Sequence, residues 1–241
     1  MAANQKVYDS YRSSGFGDTD ARSVAEGYGQ LVPFFAAAKS APLLDFGCGG
    51  GEFLEFLRAN GFTQLNGIDR SAEQVARCRE RGLLNVHVVD DSHSWLTNHP
   101  NAFETIVLND VLEHIPKAEI VATLEALRDS LRPGGQLVIK VPNAANAFGL
   151  VARYLDFTHE VAFTEHSLRQ VLLAAGFQGV QLLGMRTQWR PTLKRTAYWL
   201  ANAAYQRVHR AVYVAAVGSD APTILSKLLV ARAFSRPAVT R

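Results

Sequence analysis

Eleven residues, Leu43 to Phe53, read LLDFGCGGGEF and leave few options for the chain around them. Leu43 and Leu44 suit a strand covered on both faces. Asp45 stands where that strand leaves the core. Gly47, Gly49 and Gly51 permit left-handed backbone and let a ligand approach closely. From Glu52 to Asn60 the apolar spacing turns helical, with Phe53, Leu54 and Leu57 on one side. A helix N-terminus aimed into a glycine turn favours anionic or electron-rich ligand groups. The dinucleotide fingerprint G-x-G-x-x-G needs glycine at the position occupied by Glu52, which argues against a nicotinamide site.

The strand–helix alternation continues. Leu65–Asp69 reads as a second strand, with Asp69 at its carboxyl end, where ligands of open parallel sheets lie. Asp69 could accept hydrogen bonds from both hydroxyls of a ribose, or cap the helix at Ser71–Arg81. Asn85–Asp91 is a third strand with two acids, Asp90 and Asp91, at its end. Phe103–His114 contains a fourth strand and the turn beyond it. A helix over 118–131, the Arg132-Pro133-Gly134-Gly135 turn and a fifth strand over Gln136–Asn143 follow. A helix at 165–175 stops at Gly176, and Gly179–Met185 is a sixth strand. Leu228–Phe234 is the candidate seventh.

The glycine turn resembles motif I of the class I S-adenosylmethionine-dependent methyltransferases. Phe103-Glu104-Thr105-Ile106 through Val111-Leu112-Glu113-His114 is similar to that family's FDxIxxxxVLEH segment, and Leu131–Gly135 to its LRPGG turn. The resemblance covers about residues 40–185. It implies an α/β, doubly wound, mostly parallel seven-stranded sheet with an antiparallel last strand, a Rossmann-like methyltransferase fold. Residues 186–224 are then a helical insertion between strands six and seven. One domain is expected: arm and helix 1–39, cofactor-binding core 40–185, insertion 186–224, last strand and tail 225–241. The implied cofactor is S-adenosylmethionine, leaving as S-adenosylhomocysteine. Asp45, Gly47, Cys48, Gly49 and Gly51 would cradle it. Asp69, followed by Arg70, would take the ribose. Asp91, or else Asp90, would meet the adenine amino group. Leu108 and Asn109 would lie against the methionine part.

The stretch from Pro142 to Phe163 is long for a strand-to-helix connection and suits a substrate pocket. It carries Asn143, Asn146, Arg153, Tyr154, Asp156, Thr158, His159 and Glu160. His159 is the leading candidate for general base, with Asp156 or Glu160 orienting it. His114 either ends its turn structurally or serves as a second acid/base group. His159-Glu160 lacks the H-E-x-x-H spacing, so no metal is expected.

Charge divides the chain. Residues 1–184 hold 15 Lys and Arg against 21 acids, whereas 185–241 hold 10 against Asp220 alone. Leu193, Ala197, Leu200, Ala204, Val208 and Ala211 follow helical spacing in the basic part, among Trp189, Tyr198, Trp199, Tyr205 and Tyr213. Such a helix could meet an anionic membrane peripherally, pack on the domain or form a homodimer; nucleic acid is the least favoured partner, since no RNA-binding module is readable. The two cysteines, the absence of an apolar core in Met-Ala-Ala-Asn-Gln-Lys and of any run of about 18 apolar residues lead to a cytoplasmic expectation, with the inner face of a membrane as an option. The expected acceptor is a small molecule: a hydroxyl of a sugar or lipid-linked glycan, ahead of a polyprenyl phenol or quinone precursor. A cofactor-binding partner without catalysis is the alternative class.

Overall fold

The computed structural model describes residues 27–35, 39–185, 193–218 and 221–236. Most of the arm and helix expected over residues 1–39 lies outside them, as do Trp189 and the start of the insertion. Within the described part, a short 3-10 turn at Val32–Phe34 holds Pro33 in its first positions, where a missing N–H costs nothing.

In chain order the elements are β1 (Leu43–Phe46), α1 (Glu52–Ala59), β2 (Leu65–Asp69), α2 (Ala72–Glu80), β3 (Val86–Val88), α3 (Ser92–Thr97), β4 (Phe103–Asn109), α4 (Ile120–Ser130), β5 (Leu131–Pro142), α5 (Gly149–Leu155), α6 (Glu165–Ala174), β6 (Gln178–Gly184), α7 (Leu193–Val217) and β7 (Leu228–Phe234). They form one sheet in the order β3-β2-β1-β4-β5-β7-β6. β1 through β5 pair in parallel, and β7 runs antiparallel to both β5 and β6. The doubly wound sheet with a reversed last strand is therefore present, with α7 between β6 and β7.

Alternation along each central strand sorts side chains onto two faces. Leu44, Ile106, Leu108, Leu137 and Ile139 join Leu124 and Leu127 of α4 and Leu168 and Leu172 of α6 in one core. Their neighbours Leu43, Val107, Val138 and Val230 pack on the other face with Phe53 and Leu57 of α1. Each such leucine removed from water contributes about 1.5–3 kcal/mol. Two boundaries differ from the sequence reading. β3 spans only Val86–Val88 because the chain leaves the sheet before its two acids. β5 begins at Leu131, which pairs with Phe103 across an irregularity, so the glycine turn lies inside the strand.

The insertion leaves and re-enters between paired strands. Gly184 of β6 faces Leu229 of β7. Glu165, at the start of α6, accepts hydrogen bonds from Thr223 N (2.9 Å), Thr223 Oγ1 and Ile224 N (3.0 Å). Asn143 Nδ2 donates to the carbonyls of Ile224 and Ser226, and Asn146 Nδ2 to that of Leu225. Asn143 and Asn146, which the sequence places in a substrate loop, are therefore a clasp on the returning chain.

Candidate functional site

The carboxyl ends of β1, β2 and β4 converge at one edge. Gly47 N and Cys48 N both donate to Ile68 O, which folds the glycine turn back over β2. Gly47 has φ 79°, and a Cβ there would lie 2.6 Å from Val111 Cγ2. Gly49 also has a positive φ, 51°, but a Cβ there would meet nothing within 4 Å. One glycine is required by packing; the other leaves open space above the turn. Cys78 Sγ donates to Gly49 O at 3.1 Å and ties α2 to the turn, while the Cys78 side chain, then burial, push the Cys48 thiol pKa up.

Asp69 holds the turn from the other side. Its Oδ2 accepts Gly49 N at 2.9 Å and its Oδ1 accepts Ser71 N at 2.8 Å. Each oxygen keeps a lone pair for a further donor. The cap of α2 is Ser71, whose Oγ accepts Gln74 N, so the capping alternative for Asp69 fails. Asp91 is occupied in that role instead: its Oδ1 accepts Ser94 N at 3.0 Å and starts α3. Asp90 stands exposed just before it, and Arg70 is exposed beside Asp69.

Asp45 is fully buried, and its Oδ1 has no hydrogen-bond partner among the described residues. Burial, then the charges of Asp69 and Glu52, raise its pKa to about 8, against an opposing pull from Lys140. Asn109 Oδ1 is likewise buried without a donor among the described residues. Two unpartnered acceptors beside an open glycine turn fit a ligand that brings N–H donors and positive charge. Leu108 differs from expectation: its side chain is wholly inside the core, which leaves only backbone at the edge. Lys140 pairs with Asp110 at 2.6 Å and lies over the Tyr28 ring. Tyr28, from the segment expected as arm and helix, thus reaches the same edge.

The turn after β4 brings a second cluster. A 3-10 segment, Leu112–His114, carries Glu113 inward and His114 toward the loop after α5. Thr158 Oγ1 donates to Asp156 Oδ1 at 2.7 Å, and Thr158 N donates to the same oxygen at 2.8 Å. The Thr158 hydroxyl proton is thereby committed, so His114 Nδ1, 2.9 Å from Thr158 Oγ1, must be the N–H donor of that pair. Nε2 of His114 then carries the lone pair. Burial, with His159 nearby, lowers the His114 pKa, and Asp156 raises it in part.

His159 Nδ1 donates to Ala152 O at 2.9 Å, which fixes the orientation of its ring. The two imidazoles meet edge to face, with centroids 4.7 Å apart. The expected pairing is corrected here: Asp156 orients His114 through Thr158, and a backbone carbonyl of α5 orients His159. Sequence reading missed Glu113. Its carboxyl is buried, neither oxygen has a hydrogen-bond partner among the described residues, and burial with Asp110 raises its pKa well above the carboxylate range. Glu113, His114 and His159 offer ligand atoms within 4.8 Å of one another and could hold a cation. Spacing along the chain hides this grouping, since its members come from two distant turns.

Comparison with known proteins follows the same lines. The family model described as methyltransferase domain matches residues 21–182. The ubiquinone biosynthesis O-methyltransferase of Azoarcus sp. is 31% identical over 158 residues, 59% of this chain and 66% of that protein. The enzyme of the same name from Klebsiella pneumoniae is 32% identical over 114 residues, 46% of each. The matched region thus spans about half to two thirds of these relatives. A SAM-dependent methyltransferase from Archaeoglobus fulgidus superposes with a TM-score of 0.68 over 94% of this chain and 98% of that one, at 18% identity.

Proposed function

The chain belongs to the methyltransferase-domain family, the class I S-adenosylmethionine-dependent methyltransferases, and from that premise we propose that it methylates a ring hydroxyl of a polyprenyl phenol or quinone precursor. The relatives named for ubiquinone biosynthesis support this acceptor over the glycan expected from the basic insertion. The observation that carries the chemistry is the Asp156–Thr158–His114 chain, which holds a neutral imidazole with Nε2 unprotonated at the carboxyl edge of β4.

The residues fit the cofactor. Asp45 and Asn109 supply buried acceptors for its amino end, the backbone around Gly47 and Gly49 the cradle, Asp69 the ribose hydroxyls, and Asp90 the adenine edge in place of the capping Asp91. When bound, S-adenosylmethionine supplies an electrophilic methyl carbon next to a positive sulfur. His114 Nε2 removes the acceptor's hydroxyl proton as the oxygen becomes nucleophilic. Thr158 and Asp156 stabilise the resulting imidazolium through Nδ1. His159 borders the same space and helps to align the acceptor. A positioned base contributes about 10²–10⁴-fold.

The test is direct. The full chain is incubated with the donor and with catechol-type phenols bearing short polyprenyl tails, and products are read by mass spectrometry. A gain of one methylene unit on a ring oxygen is expected. Turnover on glycans with none on phenols would overturn the acceptor assignment.

A further inference from the structure

We propose that Lys140 binds the carboxylate of the donor's amino-acid end, and that the site thereby selects donors that keep this group.

Strand register brings the residues together. Asp45 of β1 pairs with Val107 of β4, and Asn109, two residues further on, pairs with Lys140 of β5. Residues paired in register, or two apart on one strand, share a sheet face. Asp45, Asn109 and Lys140 therefore stand on one face, at the carboxyl ends of three adjacent strands. It is the face on which Val107 and Val138 pack with Phe53 of α1. Tyr28 covers this corner. Its ring meets Phe53 edge to face at 4.8 Å, and Lys140 Nζ lies 5.7 Å from the ring centroid.

Lysine is an uncommon choice for such a position. Lys140 is the one charged residue in the run Gln136–Val141, and its side chain is 11% exposed. Its carboxylate partner is Asp110, whose Oδ2 lies 2.6 Å from Nζ. Asp110 follows β4 with φ 58°, a left-handed conformation that is rare outside glycine and gathers at ligand sites. A half-buried ion pair adds little stability over apolar residues of the same size, so stability does not account for the pair. Binding does. The donor's amino-acid end carries an ammonium and a carboxylate on one carbon. Asp45 Oδ1 and Asn109 Oδ1, buried without a partner among the described residues, suit the ammonium. Next to two such acceptors, a carboxylate needs a cation. The Lys140 ammonium presents three N–H donors; Asp110 takes one, and the others can address a carboxylate. Charge-assisted bonds of this kind are among the strongest a site can offer. The assignment rests on the donor and not on the phenolic acceptor.

Calorimetry of the full chain tests it apart from turnover, with three ligands. They are S-adenosylmethionine, its decarboxylated analogue, and 5′-methylthioadenosine, which lacks the whole amino-acid end. Wild type should bind S-adenosylmethionine about tenfold or more tighter than the decarboxylated donor. Lys140→Met keeps the stem and removes the charge. It should weaken S-adenosylmethionine about ten- to hundredfold, leave the decarboxylated donor unchanged or tighter, and leave 5′-methylthioadenosine unchanged, which also reports an intact fold. Lys140→Arg keeps a cation and should retain most of the preference. Equal losses for both donors in Lys140→Met, or no loss for either, overturn the assignment and leave Lys140 a partner of Asp110 alone. Whatever the variants do, a wild type that binds the decarboxylated donor as well as S-adenosylmethionine overturns it too. A wild type that binds none of the three removes the donor site and the assignment with it. Failure to methylate phenols would alter none of these readings.

Discussion

His114 Nδ1 lies 2.9 Å from Thr158 Oγ1, whose own proton is directed to Asp156. That relationship fixes the imidazole tautomer and, with it, the atom that can take a proton. One hydroxyl-to-carboxylate bond and one imidazole-to-hydroxyl bond tie Asp156 to His114, whereas the sequence reading expects Asp156 or Glu160 to orient His159.

The first prediction concerns this chain of bonds. His114→Ala should lower kcat by about 10²–10⁴-fold. Thr158→Val should lower kcat by about tenfold with little change in KM, and Thr158→Ser should restore most of it, because only the hydroxyl matters. The base must be neutral, so rate falls as pH drops through its pKa. Asp156 raises that pKa, hence Asp156→Asn should move the acid limb of the kcat profile to lower pH. An unmoved limb would remove Asp156 from the chain.

Donor binding should be linked to a proton. In the free protein Asp45 has a pKa of about 8, set first by burial. A cationic group beside Oδ1 favours the carboxylate, so binding near neutral pH expels a proton and affinity rises between about pH 6 and 7.5. Calorimetry in buffers of different ionisation enthalpy reads the released proton, and Asp45→Asn should abolish both effects. A raised carboxyl pKa costs stability increasingly as pH climbs above the unfolded value toward the folded one. Asp45→Asn should therefore raise the melting temperature of the ligand-free protein more at pH 9 than at pH 5.

The two glycines should separate packing from binding. Gly47→Ala combines a left-handed backbone with a collision against Val111, and should destabilise by roughly 1–3 kcal/mol in denaturant titration. Gly49→Ala pays only the backbone strain, about 1–2 kcal/mol, because its Cβ enters open space. Its main effect should be weaker donor binding, measured by calorimetry on folded protein.

The clasp on the returning chain makes a stability prediction remote from chemistry. Glu165→Ala strands donors on Thr223 and Ile224 and should cost about 2–3 kcal/mol. Hydrogen exchange should rise at Thr223 and Ile224 before the rest of β7. Unchanged protection there would show that the clasp does not hold this segment.

Periodicity carried much of the fold. β2 and β7 match their expected limits, β2 closing on Asp69 and Arg70 and β7 on Ser235 and Arg236. The glycine turn announced the edge of the sheet, since few structures other than a strand-to-helix cradle use such a run. What stayed hidden depends on contacts across long stretches of chain. Nothing local tells Asn143 and Asn146, which hold the chain near Ile224, from polar residues lining a pocket. Nothing local shows that Asp91 is spent on a helix start while Asp90 is exposed. Glu113 reads as an ordinary acid in a turn, and only folding reveals that its carboxyl is sealed beside two histidines.

The hairpin of β6 and β7 has a consequence for how such a protein can change. Its strands are aligned at Gly184 and Leu229, and the returning chain is held by Glu165, Asn143 and Asn146 before it rejoins the sheet. Whatever lies between is tethered at both feet, and the entropy of closing such a loop grows only slowly with its length. The segment thus has the anchoring an exchangeable cassette needs. Helices can be lengthened, recharged or replaced there over evolutionary time while the strands, the glycine cradle and the paired histidines keep their register, and new acceptors can be recruited without redesigning the sheet.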